Sequence, residues 1–189
     1  MCVIYAGFYK RRLLTATLFI CKEGGFLHII DNCVIIYQYT FMKVYLDCCS
    51  YNRPFDDQKN IIIHLETEAK LVIQQMIKDN ELVLIWSDVL DYENYDNPFE
   101  ERRDKISEWK FLASDKVEMN DSIYEKAKIY MLNGLKQKDA AHIACAVHAN
   151  GDYFITVDKK VLNKTISDIV IIDPINFLRR LQNDDGHRS

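Results

Sequence analysis

The chain has 189 residues, 49% of them hydrophobic and 28% charged, with a net charge of −4. These proportions suit one soluble globular domain, and only six Gly and three Pro exclude a low-complexity or linker-rich protein. The acidic balance excludes a global basic field for nucleic acid, so a polyanionic partner would need a local basic rim or a bound cation.

Residues 1–41 read differently from the rest. Lys10-Arg11-Arg12 precede the apolar run Leu13 to Cys21, Lys22-Glu23-Gly24-Gly25 interrupt it, and a second apolar stretch extends from Phe26 to Phe41. A basic segment ahead of nine apolar residues has the outline of a signal peptide, but no small-residue cleavage site follows and neither run reaches transmembrane length. We read 1–41 as an upstream extension from a mis-assigned start codon; an extra hairpin and a targeting segment are the competing readings. The segment holds four basic and two acidic residues, so the remainder of the chain stands at −6.

Residues 43–46 form a short β-prone run ending at Asp47, and Ser50 to Gln58 reads as a polar loop. From Ile61 to Lys78, apolar residues at Ile62, Leu65, Ala69, Val72, Ile73 and Met76 fall at spacings of three and four, which predicts an amphipathic helix. Glu66 and Glu68 are assigned to an acidic, solvated face of it. A strand is predicted over Leu82 to Trp86, then a helix capped by Ser87 and running to about Asn94. Pro98 starts another helix, to about Ala113, and Lys116 to Met119 is a short strand. A helix from Ser122 to Asn133 stops at Asn133-Gly134. Asp139 to Ala149 is the next helix, Asp152 to Val157 a strand, Asp158 to Lys164 a short helix, and Ile169 to Ile172 a last strand. Pro174 leads a helix to Leu181, and the polar tail from Asn183 is expected to fray. Strands alternate with helices throughout, so the fold is predicted to be α/β with a mainly parallel sheet.

Four acids stand at the ends of apolar runs. Asp47 closes Val44-Tyr45-Leu46, Glu93 lies past Leu82 to Trp86, Asp139 opens the helix through Ala149, and Asp158 follows Tyr153 to Val157. Strand ends of a parallel sheet meet at one edge, where open α/β folds bind ligands. Carboxylates gathered there repel one another unless a cation lies between them, which points to a divalent-metal site. Mg2+ and Mn2+, hard cations that prefer carboxylate oxygen, suit this donor set.

Around the acids, Thr156 shares a strand face with Asp158 and could bond a carboxylate or a metal-bound water. Asn52 and Arg53 follow Asp47 in the loop and could orient a carboxylate or neutralise a phosphate. Lys136 and Lys138 could touch a polyanionic partner, while His142 is read as a hydrogen-bonded helix residue rather than a ligand. A zinc site of Cys48, Cys49, His142 and Cys145 lacks the usual paired spacings, so the thiols are taken as reduced and the protein as cytoplasmic. There is no GxGxxG and no GxxxxGK[ST]. A haloacid-dehalogenase-type phosphatase would need a second Asp where Cys49 stands.

Tyr45-Leu46-Asp47 with Asn52 to Gln58, Ser87-Asp88-Val89-Leu90-Asp91-Tyr92-Glu93, Lys138 to Ala146 and Tyr153 to Asp158 resemble, in order, the four motifs of the PIN-domain family. The resemblance covers about Met42 to Leu181 and implies a three-layer α/β/α fold over 42–182, followed by the tail 183–189. It selects Glu93 over Asp91, which lies about 200° away on a helix. It implies a metal-dependent endoribonuclease that hydrolyses RNA by a metal-activated water, with Asp47, Glu93, Asp139 and Asp158 as catalytic ligands. Many such proteins are homodimeric toxins of type II toxin–antitoxin pairs of the VapC kind, so a cognate antitoxin is an expected partner. The competing readings are a non-catalytic protein- or RNA-binding scaffold and a housekeeping RNA-processing nuclease.

Overall fold

The computed structural model describes residues 19–20, 25–30, 33–38 and 41–186; of these, side chains are described for 41–183. Chain contacts divide the protein into two units, 1–41 and 42–189. In the first, strands β1 (Phe19–Ile20), β2 (Gly25–Ile30) and β3 (Cys33–Gln38) form an antiparallel sheet in that order. Its register sets Gly25 opposite Gln38 and Ile30 opposite Cys33. The expectations attached to Lys10–Arg12 and to most of Leu13–Cys21 lie outside the described residues.

The second unit is built on five parallel strands: β4 (Met42–Leu46), β5 (Leu82–Ser87), β6 (Asp115–Val117), β7 (Tyr153–Ile155) and β8 (Val170–Ile172), in the order β6-β5-β4-β7-β8. Valine, isoleucine, leucine and aromatic side chains dominate these strands because both faces are covered, as parallel sheets require. Val44, Tyr45, Leu46, Leu84, Ile85 and Ile155 are fully buried. The chain steps outward from β4 to β5 to β6, then returns to place β7 on the other side of β4. That reversal opens a crevice beyond the carboxyl ends of β4 and β7, the place where open α/β sheets bind ligands.

Helix α1 (Cys48–Asn52) leads through a 3-10 turn at Arg53–Phe55 to α2 (Ile61–Lys78). Next come α3 (Asp88–Tyr95), α4 (Glu100–Ser107) and a 3-10 turn at Glu108–Phe111, then α5 (Asp121–Leu132), α6 (Gln137–His148), α7 (Lys159–Leu162) and α8 (Pro174–Gly186). Right-handed crossovers set α2 on one face of the sheet and the α5–α6 pair on the other, giving the three-layer α/β/α arrangement expected. Among the described residues no helix is long and apolar enough to cross a membrane.

Several local expectations give way to tertiary structure. The predicted polar loop 50–58 begins instead as α1, because Asp47 caps a helix: its Oδ1 accepts from Cys48 N at 2.8 Å. Pro98 does not start its helix; Phe99 is the N-cap, and the helical run ends in a 3-10 turn. The strand predicted over 152–157 pairs only at Tyr153–Ile155, where β4 and β8 lie alongside it. Helix α8 continues to Gly186 rather than stopping at Leu181. Gly134 does terminate the segment after α5, with a φ of +85°.

The largest difference is the face that α2 buries. Ile62, Leu65 and Val72, three of the six residues of its apolar stripe, are exposed, while Glu66, Thr67, Lys70 and Gln74 are buried beside Ile73 and Ile77. Contacts to the turn after α1 turn the helix this way. Arg53 Nη2 lies 2.6 Å from Glu66 Oε2, and Thr67 Oγ1 donates to the Arg53 carbonyl. Glu66 is therefore not on a solvated face. Burial lowers the Lys70 ammonium to about 8, with Lys78 adding to the effect.

Candidate metal centre

Asp47 stands where β4 ends at the crevice, and its backbone N donates to the Ile155 carbonyl of β7 at 3.0 Å. The residue is 8% exposed and its carboxylate is bonded on both oxygens. Oδ1 takes the Cys48 N–H, and Oδ2 accepts from Thr156 Oγ1 at 2.7 Å and from Cys49 Sγ at 3.0 Å. Thr156 is wholly buried and also accepts from Asp158 N at 3.1 Å. One hydroxyl thus ties the acid after β4 to the acid after β7.

Glu93 sits on α3, which Ser87 caps by accepting from Leu90 N. Its Oε2 lies 2.7 Å from His142 Nε2 on α6. This hydrogen bond, aided by the charges of His142 and Lys138 against the cost of burial, holds the Glu93 carboxyl below its ordinary range. Asp91 points elsewhere, accepting from Trp86 Nε1 at 2.9 Å and from Lys110 Nζ at 2.6 Å. Potential ligand atoms of Asp47, Glu93 and His142 all lie within 4.8 Å of one another, the one such grouping among the described residues.

Asp139 and Asp158 are half-buried. Burial and then the charges of Asp47 and Asp158 raise the Asp139 carboxyl above its ordinary value, outweighing Lys136 and His142. Asp158 caps α7 through Oδ1, which accepts from Lys160 N at 2.7 Å. Asp47, Asp139 and Asp158 are therefore near enough to feel one another, although Asp139 and Asp158 fall outside the tight grouping.

The other sequence candidates make their close contacts elsewhere. Asn52 donates to the Cys48 carbonyl and accepts from Asn97, tying α1 to the loop after α3. Arg53 is held between Asp56 at 3.0 Å and the buried Glu66. Lys138 reaches toward Asp96 at 3.6 Å. Cys48, Cys49 and Cys145 are free thiols that do not converge as a zinc site; Cys145 meets Met119 sulfur, and burial lifts the Cys48 thiol to about 12.

His142 is the residue that sequence reasoning undervalued. It is 1% exposed, and its Nδ1 lies 2.7 Å from the Tyr45 hydroxyl, which lies 2.6 Å from Ser87 Oγ. Two spacings carried a signal: Asp139 and His142 are one helical turn apart, and Tyr45 and Asp47 share a strand face.

The donor chemistry fits a hard divalent cation. Among the described residues Asp56, Glu66, Asp91, Asp96, Asp115 and Asp168 each lie within 4 Å of a Lys or Arg side chain. Three of the site acids, Asp47, Glu93 and Asp158, are instead held by backbone N–H groups, Thr156, Cys49 and the His142 ring. Their geometry is fixed without cancelling their charge, and the raised Asp139 carboxyl registers the deficit.

No family profile and no curated protein matches the chain. Among solved structures, it is similar to a chain of the VapBC2 complex from Rickettsia felis bound to a DNA fragment from their promoter. The identity is 12%, the match covers 70% of this chain and 98% of that one, and the TM-score is 0.44.

Proposed function

We propose that the unit from Met42 onward is a Mg2+- or Mn2+-dependent endoribonuclease of the PIN kind, with Asp47, Asp139, Asp158 and Glu93 as cation ligands. One observation carries the reading: Asp47 and Glu93 converge with His142 beyond the sheet's switch point, Asp139 and Asp158 lie close enough for their charges to act there, and among the described residues none of these acids has a Lys or Arg side chain within 4 Å. A divalent cation bound there supplies Lewis acidity toward a phosphodiester and removes the repulsion between the acids and the RNA backbone.

The chain's own residues have distinct tasks. Asp47, locked by Cys48 N–H and Thr156, presents its remaining lone pairs in a fixed direction. Glu93 has Oε2 committed to His142, which leaves Oε1 to bind the cation or to take a proton from water. Asp158 uses Oδ1 as a helix cap and keeps Oδ2 for the site. Arg53, occupied by Asp56 and Glu66, is assigned to the scaffold in preference to phosphate binding. The motif resemblance adds the finer proposals of a toxin role, an antitoxin partner, a homodimer and a cytoplasmic location.

The full chain incubated with single-stranded RNA should cleave it in Mg2+ or Mn2+ and stop in EDTA. Asp47→Asn and Asp139→Asn should each abolish cleavage while leaving the far-UV spectrum intact. Cleavage that survives both EDTA and Asp47→Asn refutes the mechanism, and RNA binding without cleavage in any divalent ion favours the scaffold. Growth arrest on expression, relieved by the product of an adjacent small gene, supports the toxin role; harmless expression favours housekeeping RNA processing.

A further inference from the structure

Behind the carboxylates runs a hydrogen-bonded series from Leu90 N to Ser87 Oγ (3.3 Å), Tyr45 Oη (2.6 Å), His142 Nδ1 (2.7 Å) and, from the other ring nitrogen, to Glu93 Oε2 (2.7 Å). Ser87, Tyr45 and His142 are each no more than 1% exposed, so no solvent competes for these bonds. Tyr45 is held by stacking on Phe154, with ring centroids 5.4 Å apart and planes 15° from parallel.

Proton counting fixes the direction of the series for a neutral imidazole. An ionised Glu93 only accepts, so His142 Nε2 must carry a proton to meet Oε2 at 2.7 Å. A neutral ring then has a lone pair on Nδ1, which takes the Tyr45 proton. Tyr45 Oη in turn accepts from Ser87, and Ser87 Oγ accepts from Leu90 N–H. Every donor has one acceptor. In the reverse arrangement an unprotonated Nε2 would set lone pair against lone pair at Glu93 Oε2. The Ser87 proton would be left to the Cys145 thiol, a weak acceptor.

We propose that Tyr45 and His142 are positioning residues: the bonded series keeps a proton on His142 Nε2, which orients Glu93 and keeps the imidazole out of the cation's coordination shell. The alternative is a direct ligand, since Nε2 lies within reach of the same point as Asp47 and Glu93. Ligation would require Nε2 to lose its proton and, in a neutral ring, Nδ1 to gain one and the whole series to reverse. The role in cation binding rests on the carboxylate cluster being a cation site; the tautomer rests on the hydrogen bonds alone.

Long-range proton–nitrogen correlation spectra of the full chain with nitrogen-15-labelled histidine read the tautomer, with His142 assigned by the signal missing from His142→Gln. The expected spectrum has a protonated Nε2 and an acceptor-type Nδ1, unchanged when Mg2+ is added. Tyr45→Phe keeps the ring volume and removes the proton donated to Nδ1. It should mix the tautomers and weaken Mn2+ binding, measured by calorimetry, about tenfold. An Nδ1–H tautomer in the cation-free protein overturns the proposal, as does transfer of the proton from Nε2 on adding Mg2+. Tyr45→Phe with unchanged tautomer and unchanged Mn2+ affinity overturns the part given to Tyr45. If Tyr45→Phe does not fold, the wild-type spectra with and without Mg2+ decide. A wild type that binds neither cation overturns the positioning role together with the nuclease reading, whereas its cation-free spectrum still reads the hydrogen-bonded series separately.

Discussion

Replacing Thr156 by valine tests whether Asp47 is held in place before any cation arrives. Valine preserves the shape of the wholly buried side chain and removes only the hydroxyl. Three contacts go with it: the 2.7 Å bond to Asp47 Oδ2, the 3.1 Å bond from Asp158 N and the weaker 3.2 Å contact with Cys49 Sγ. A hydrogen bond to a charged group contributes about 1.5–3 kcal/mol, and an N–H left without an acceptor at a half-buried position costs about 1 kcal/mol. Cys49 Sγ, 3.0 Å from the same oxygen, remains and offsets part of the loss. The expected destabilisation is therefore about 3 kcal/mol, read by urea unfolding at pH 7 in EDTA. Thr156→Ser keeps the hydroxyl and should cost only about 0.8 kcal/mol for the missing methyl. A cycle with Asp47→Ala isolates the pair, whose coupling should be about 1.5 kcal/mol or more. Coupling within about 0.5 kcal/mol of zero would refute the claim that Thr156 fixes Asp47.

Acidity should act on the cation-free protein in two opposite phases. Asp139 is raised above its ordinary 3.8 by burial and then by Asp47 and Asp158, so its ionised form destabilises the fold, and stability should rise as pH falls from neutral through its folded pKa. Glu93, lowered from 4.5 by its His142 bond, and Asp168, lowered to about 2 by Lys126, contribute in the other sense; their stabilisation is lost below their ordinary values. A melting-temperature profile in EDTA should therefore peak on the acid side of neutrality, and Asp139→Asn should flatten the rise; a monotonic fall from pH 7 in the wild type contradicts it. Mn2+ at about one hundred times its Kd should add about 2.7 kcal/mol of stability, and Asp139→Asn should lose that increment in the same calorimetric scan. Arg53→Ala should cost about 3 kcal/mol by stranding the buried Glu66 carboxylate, with cation affinity unchanged and stability partly restored by Glu66→Gln. A stable Arg53→Ala protein with a raised KM for RNA would return Arg53 to the phosphate-binding role suggested by its place in the sequence.

The regular elements were legible because their signals are local. The run Leu82 to Trp86, the Ser87 cap, the helix Ile61 to Lys78 and the Asn133-Gly134 stop each involve residues within a few positions of one another. The positions of Asp47 and Asp158 were legible for a related reason: a parallel sheet brings every strand's carboxyl end to one edge, so an acid following such an end is placed by topology alone. What escaped depends on partners far away in the chain. Arg53 reads as a loop cation until Glu66 is found beside it, and that pair, with Thr67 on the Arg53 carbonyl, rotates α2 so that its polar side is covered. His142 meets Tyr45 and Glu93, 97 and 49 residues away, and nothing within its own helix announces either contact.

The neutral anchoring of the acids separates stability from cation binding in a way that substitutions can expose. Removing charge, as in Asp139→Asn, relieves repulsion among Asp47, Asp139 and Asp158 and should stabilise the cation-free fold while weakening the site. Removing a neutral anchor, as in Thr156→Val, should destabilise the fold and weaken the site as well, because Asp47 then has to be ordered by the cation itself. A site built only for structural stability would behave otherwise: its acids would be paired with Lys or Arg, as Glu66 and Asp168 are, and losing either partner would destabilise. Opposite signs in unfolding free energy, together with a shared loss of Mn2+ affinity, are therefore the signature of carboxylates arranged for a cation. If Asp139→Asn instead proves as destabilising as Arg53→Ala, the acids are serving the fold, and the scaffold reading gains over the nuclease.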